Sequence, residues 1–202
     1  MKPPSARSHN SSVQERQELK ASERLARNQA ASEVVAQNQY PNETFLSSTA
    51  KLQAINKFTK NMTLPKNVRL AGSRIPQTKG DAEKLKKELR QAGIIARHGN
   101  SVFLTPEPGR YKERASDAIV NGVPYEFRNI TGKAVKIETR FSEAKKKADN
   151  INVFLNIDSS VDIGEARRRI RQVLNRHPEY TGKIVVSLQG GKTYFWDTSS
   201  FR

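Results

Sequence analysis

The sequence predicts a mixed α/β domain (α+β in type) with a single central mixed sheet flanked by helices and a helical or partly disordered N-terminal appendage. Three observations predict it. Apolar spacing switches repeatedly between helical and strand periods from residue 81 onward, in the order helix, two hairpins, helix, strand, helix, hairpin. Asn121-Gly122 and Gly190-Gly191 separate short runs rich in β-branched and aromatic residues, as hairpin turns do. The first 60 residues lack this texture: no aromatic precedes Tyr40.

Taken in order, Met1–Ser12 is rich in Pro, Ser and Asn and is expected to be disordered. Val13–Gln39 carries a sparse apolar stripe among Ala, Glu, Arg and Gln, which fits a solvated helix broken at Tyr40-Pro41-Asn42-Glu43. Thr44–Lys60 is expected to form a second short helix, so that 1–60 is a linker or helical appendage and 61–202 the folded domain. Asp81–Ala92 places Leu85, Leu89 and Ala92 on one helix face, with Asp at the start and Gly93 after it. Ile94–Arg97 and Ser101–Leu104 flank His98-Gly99-Asn100 as a hairpin would, and Asp117–Val120 and Val123–Arg128 flank Asn121-Gly122. Glu138–Lys147 is a basic helix, Ile151–Ile157 a strand, Gly164–Asn175 an Arg-rich helix, and Lys183–Leu188 with Thr193–Trp196 a final hairpin. No internal repeat is present.

Composition narrows the function. The chain has 36 Lys+Arg against 20 Asp+Glu, a net charge of +16, and 35% hydrophobic residues, below the about 45–50% of an average globular chain. Of that charge, +12 lies in 61–202. A basic domain of this kind points to a polyanionic partner, nucleic acid or an acidic protein. The lack of cysteine excludes disulfides, thiolate zinc sites and a Cys nucleophile. No apolar run approaches the length of a membrane span, and Met1–Asn10 has no apolar signal-peptide core. A monomer is expected.

The chemistry concentrates in Ser116-Asp117-Ala118-Ile119-Val120-Asn121-Gly122-Val123-Pro124-Tyr125-Glu126-Phe127-Arg128. A turn at Asn121-Gly122 puts Asp117 and Glu126 on paired strands, where two carboxylates can share a divalent cation such as Mg²⁺. Arg128 can clamp a phosphate there but cannot act as a base. An Asp ending one strand followed by Glu-x-basic on the next is similar to the core of the PD-(D/E)xK nucleases, with Arg128 where that pattern has Lys.

The wider order is a helix ending in Gly93, then Ser116-Asp117 with Asn121-Gly122, then Glu126. A Lys-rich helix then runs into Ala148-Asp149-Asn150 and the strand Ile151–Asp158. Over roughly residues 80–202 this order resembles the C-terminal nuclease toxin domains of contact-dependent inhibition proteins (the CdiA family) and related polymorphic and phage-borne toxins. The resemblance implies an endoribonuclease that cuts RNA, often tRNA, is delivered as part of a larger secreted protein and acts in the bacterial cytoplasm; with the Asp117–Glu126 pair, a metal-dependent tRNase is expected. It also implies an acidic immunity protein over the active site. Carried over residue by residue, it implies Asp117 and Glu126 as the Mg²⁺ pair, Lys145 or Lys146 as the catalytic lysine, and Glu83 or Glu88 as the helix glutamate. Lys147 stands where many members have Gln. Arg128, Lys133, Lys136, Arg140 and Lys147 would bind the nucleic-acid backbone, with Arg110, His98, Lys192 and Tyr194 as further contacts.

Other readings stay open at this level. The barnase, EndoU, colicin and RelE-like toxins are of similar length and cut RNA without metal through its 2′-OH, a role for which His98, Arg110, Lys133, Arg140 and Tyr194 are candidates. A DNase, or a phage or structural protein that binds nucleic acid without cutting it, would share the basic charge. Tyr194-Phe195-Trp196 offers a base-stacking platform in which alternation turns Tyr194 and Trp196 to one face and Phe195 to the other.

Overall fold

The structure is a computed structural model and describes residues 6–107, 116–147 and 150–201. Helix α1 (Ala6–Gln39) leads into strand β1 (Phe45–Leu46), helix α2 (Thr49–Gln53), strand β2 (Val68–Ala71) and helix α3 (Lys79–Ala96). Strands β3 (Val102–Leu104), β4 (Ala118–Val120) and β5 (Val123–Thr131) follow, then helix α4 (Lys136–Lys145), strand β6 (Asn152–Asp158), helix α5 (Ile163–Arg176) and strands β7 (Ile184–Leu188) and β8 (Thr193–Trp196).

Among the described residues, eight strands form one mixed sheet in sequence order. β2 and β3 run parallel, as do β5, β6 and β7, whereas β1–β2, β3–β4, β4–β5 and β7–β8 are antiparallel. Two parallel βαβ crossovers therefore carry α4 and α5, and their apolar residues pack with Val153, Leu155, Ile157, Ile184 and Val186 on one face. On the opposite face α3 packs Leu85, Leu89, Ala92 and Ile95 against Val102, Leu104, Val120, Tyr125 and Phe127.

Several expectations hold at the level of cause. Asn121 and Gly122 have φ of 52° and 83°, the two positive values that a tight hairpin matching the sheet twist needs. α5 starts at Asp162, whose side chain accepts from Glu165 N at 3.0 Å.

Others are corrected. α3 starts at Thr78 and not at Asp81: Thr78 Oγ1 accepts from Asp81 N and Asp81 Oδ2 accepts from Thr78 N, both at 3.1 Å, a reciprocal capping box. Its apolar stripe runs on through Ile95 and Ala96, so 94–97 is the end of a helix, not a hairpin strand, and Gly93 lies inside that helix. β3 pairs with β4 and with β2, a strand the sequence reading did not place. Helix already begins at Ala6, within the stretch expected to be disordered.

The segment expected as an appendage also enters the body. Ser32 and Ala36 of α1 are fully buried, Tyr40 is nearly so, and Phe45 and Leu46 extend the sheet where a helix was expected. Leu52 of α2 belongs to the α3-side core. The side chains of residues 13–24 are exposed by contrast. Among the described residues, no helix is long and apolar enough to cross a membrane.

Candidate active site

Strand alternation builds the site. In β5, Tyr125 and Phe127 face α3, which sends Glu126, Arg128 and Ile130 to the side of α4 and α5. Ala118 pairs with Tyr125, so Asp117, one step before β4, stands opposite Glu126 with its side chain on the same face. Asp117 also completes the ladder: its N–H donates to Tyr125 O at 3.0 Å, and its Oδ2 accepts from Phe127 N at 2.8 Å.

Two cations join this pair. Arg128 donates from Nη1 to Asp117 Oδ2 at 3.2 Å and places Nη2 2.9 Å from Glu126 Oε2. That second approach is a charge contact off the hydrogen-bonding direction, and the buried Oε2 accepts no hydrogen bond. From just past the end of α4, Lys147 donates from Nζ to Glu126 Oε1 at 2.6 Å. Glu126 is wholly buried. Burial, with the neighbouring Asp117 charge, pushes its carboxyl up to about 7 against the pull of Lys147 and Arg128.

A second layer supports Asp117 from the α3 side. The buried guanidinium of Arg74 holds Glu88 of α3, lies 3.6 Å from Glu107, and donates to the main-chain oxygen of Asp117 at 3.4 Å. Burial raises the Glu88 carboxyl above the usual carboxylate range, opposed by Arg74.

The structure thus brings together Asp117, Glu126, Arg128 and Lys147, with Glu88 and Arg74 behind them. Glu83 is not among them: it is exposed and pairs with Lys86 at 3.0 Å. Helical period explains the difference, because Glu88 lies three residues after Leu85 and four before Ala92, on the flank of the buried stripe. Arg74, which sequence reasoning did not single out, had no signal beyond a charge close to the apolar run of β2. Lys145 turns instead to Glu179 and to His177, whose Nδ1 is 3.1 Å away. Lys146 is exposed, as are Lys133, Lys136 and Arg140, the last pairing with Glu143 at 2.8 Å. His98, Lys192 and Tyr194 belong to the α3–β3 turn and the β7–β8 hairpin, with no described contact to the acidic pair. Arg110 and the Ala148-Asp149 step lie outside the described residues.

Among the described residues no group of three or more His, Asp or Glu side chains is placed to hold a metal ion. The donor chemistry nevertheless fits Mg²⁺, which takes one or two carboxylates, keeps several waters and shares substrate phosphates. Glu126 Oε2 has no hydrogen bond, and Asp117 Oδ1 has no partner among the described residues.

No family model matches the chain, and no curated protein matches it. Among solved structures it is similar to a chain of the CdiA-CT/CdiI toxin and immunity complex from Burkholderia pseudomallei. The two are 23% identical with a TM-score of 0.47, over 63% of this chain and 98% of that one. The likeness is too distant for residues to be carried from that chain to this one.

Proposed function

We propose that this protein is an endoribonuclease toxin that cleaves phosphodiester bonds with Mg²⁺, and that its substrate is tRNA. One observation carries the reading: two carboxylates, Asp117 and Glu126, share a face with two cations, Arg128 and Lys147, inside a strongly basic domain. Asp117 and Glu126 are the residues that would hold Mg²⁺, which when bound supplies Lewis-acid polarisation of the phosphodiester. Arg128 and Lys147 each now sit against a carboxylate, so a phosphate entering the site exchanges one anionic partner for another at little desolvation cost. Arg74 and Glu88 keep Asp117 in register from behind. The same reading, through the sequence resemblance, includes an acidic immunity protein, delivery within a larger secreted protein and action in the bacterial cytoplasm.

A second reading has its own observation. A buried Glu126 whose Oε2 accepts no hydrogen bond, set beside two cations and with its carboxyl raised by burial, suits a general base that takes the proton of an RNA 2′-OH without metal, while Arg128 and Lys147 stabilise the phosphate.

One assay separates them. The full chain is incubated with total tRNA in Mg²⁺ or in EDTA, beside Asp117→Asn, and the product ends are analysed. The metal reading expects cutting that EDTA and Asp117→Asn abolish. Undiminished cutting in EDTA with 2′,3′-cyclic phosphate ends replaces it by the second reading. No cutting of any RNA under either condition overturns both.

A further inference from the structure

The opposite face of the sheet carries a cavity of about 410 Å³ that the carboxylate site does not use. Its floor is set by register. Tyr125 pairs with Asn152, and the β6–β7 and β7–β8 pairings, continued one step, align Asn152 with Lys183 and Lys183 with Asp197. Four strands thereby present a row of Tyr, Asn, Lys and Asp along one edge of the cavity, and all four residues line it. Phe195 lines it as well, half exposed, with the His98 ring set edge-on to it at 5.2 Å.

These groups are held but not used up. Tyr125 is only 8% exposed, yet its hydroxyl has no hydrogen-bond partner among the described residues. Asn152 Oδ1 accepts from Lys183 N at 2.6 Å, leaving its Nδ2 without a described partner. The rim is fixed: Asn121 Nδ2 donates to Asn100 Oδ1 at 2.8 Å, and Asn100 Nδ2 to Ile95 O at 2.9 Å.

We infer that this cavity binds one unpaired nucleobase of a single-stranded nucleic acid, stacked on Phe195, with its polar edge toward Tyr125, Asn152, Lys183 and Asp197. A phosphate alone is a poor fit, because Asp197 would repel it. An aliphatic ligand would leave Tyr125 and Asn152 unpaired in a buried place. A flat heteroaromatic ring with donors and acceptors around its edge uses both the ring and the mixed row. The volume falls within the range of small-ligand sites. The cavity also lies close to the proposed cleavage site along the chain: Tyr125 precedes Glu126 in β5, and Asn150, another lining residue, is three positions beyond Lys147. The inference rests on the nucleic-acid reading above and adds where a base is read.

The test is fluorescence anisotropy on the full chain in EDTA. The probes are labelled 2′-O-methyl tetranucleotides of each base and an abasic tetramer of equal charge. At least one base-bearing tetramer is expected to bind about tenfold tighter than the abasic one. Phe195→Leu, a change at a half-exposed position, is expected to bring that ratio close to one without altering abasic binding, and Tyr125→Phe to lower it severalfold. Equal binding of the abasic and all four base-bearing tetramers overturns the inference, as does a full base advantage retained in Phe195→Leu. The two proposals fail separately. RNA cutting lost in Asp117→Asn but no base advantage removes the cavity's role alone. A base advantage lost in Phe195→Leu with no RNA cut supports the cavity and removes the nuclease.

Discussion

Lys147 Nζ stands 2.6 Å from Oε1 of Glu126, whose side chain is completely shielded from solvent. Even with this partner the Glu126 carboxyl is raised from 4.5 to about 7. A carboxyl raised on folding binds its proton more tightly in the folded state. Its contribution to stability is therefore full below the unfolded value and is lost as pH rises from 4.5 to about 7. Glu126→Gln keeps the shape and removes the titration. Unfolding of both proteins in urea between pH 4.5 and 7.5 should show wild type losing about 1–3 kcal/mol relative to the Gln variant. A difference that does not change with pH refutes the shift.

Arg128 reaches both acids, hydrogen-bonding Asp117 at 3.2 Å and standing 2.9 Å from Glu126 as a charge contact, because the guanidinium fork carries two separated nitrogens. Lysine has one ammonium and cannot span them. Arg128→Lys is expected to lower kcat/KM on RNA by about tenfold and Arg128→Gln by about a hundredfold or more. Steady-state kinetics at fixed ionic strength checks this, and an unchanged kcat/KM in Arg128→Gln would remove Arg128 from the site.

The Arg74–Glu88 pair behaves as a buried ion pair, with side-chain exposures of 4% and 15%. Removing one partner strands the other, so Arg74→Met should cost about 3–5 kcal/mol in chemical unfolding. The double change Arg74→Met with Glu88→Leu should recover most of that loss. If the double variant is as unstable as the single one, the cost lies in packing and not in the stranded charge.

How far these relationships could be read beforehand depended on whether a local rule sufficed. The Asn121-Gly122 turn fixed the β4–β5 register, and that register alone sets Asp117 opposite Glu126. Partners supplied by tertiary approach were less legible. Lys145, Lys146 and Lys147 are adjacent, and only the angle at which α4 ends decides that Lys147 meets Glu126 while Lys145 meets Glu179. At the final hairpin alternation correctly split Phe195 from Trp196, but not which side was open. Trp196 packs near Phe201 at 5.1 Å under Arg167, and Phe195 is left half exposed. The 45–46 strand escaped because two residues carry no period.

Gly182 precedes β7 where Tyr180 turns back to donate its hydroxyl to Ile151 O at 2.6 Å. A Cβ at Gly182 would lie 2.1 Å from that same oxygen and 2.4 Å from the Tyr180 hydroxyl. One of those atoms is backbone and the other a buried ring, so neither yields cheaply. Gly182→Ala is expected to cost at least about 2 kcal/mol and to lower the thermal midpoint by several degrees. A midpoint equal to wild type would show that the turn opens freely to admit a methyl group.

Among the described side chains, helix α1 is anchored through its last turns. Ser32 Oγ accepts from Gly122 N at 3.0 Å, and Ala36 and Tyr40 pack with Phe103 and Ile119 on the β3–β4 strands. Residues 13–24 expose their side chains. Removing residues 1–23 should therefore leave the unfolding free energy in urea unchanged to within about 0.5 kcal/mol. Ala36→Asp, which forces a carboxylate into a site with no exposure, should cost about 3 kcal/mol or more. Because α1 seals the face of β4 that continues into Asp117, the same Asp variant should lose RNA binding along with stability, whereas the shortened chain keeps both. A shortened chain that unfolds as readily as Ala36→Asp would place the anchor upstream of Arg24 instead.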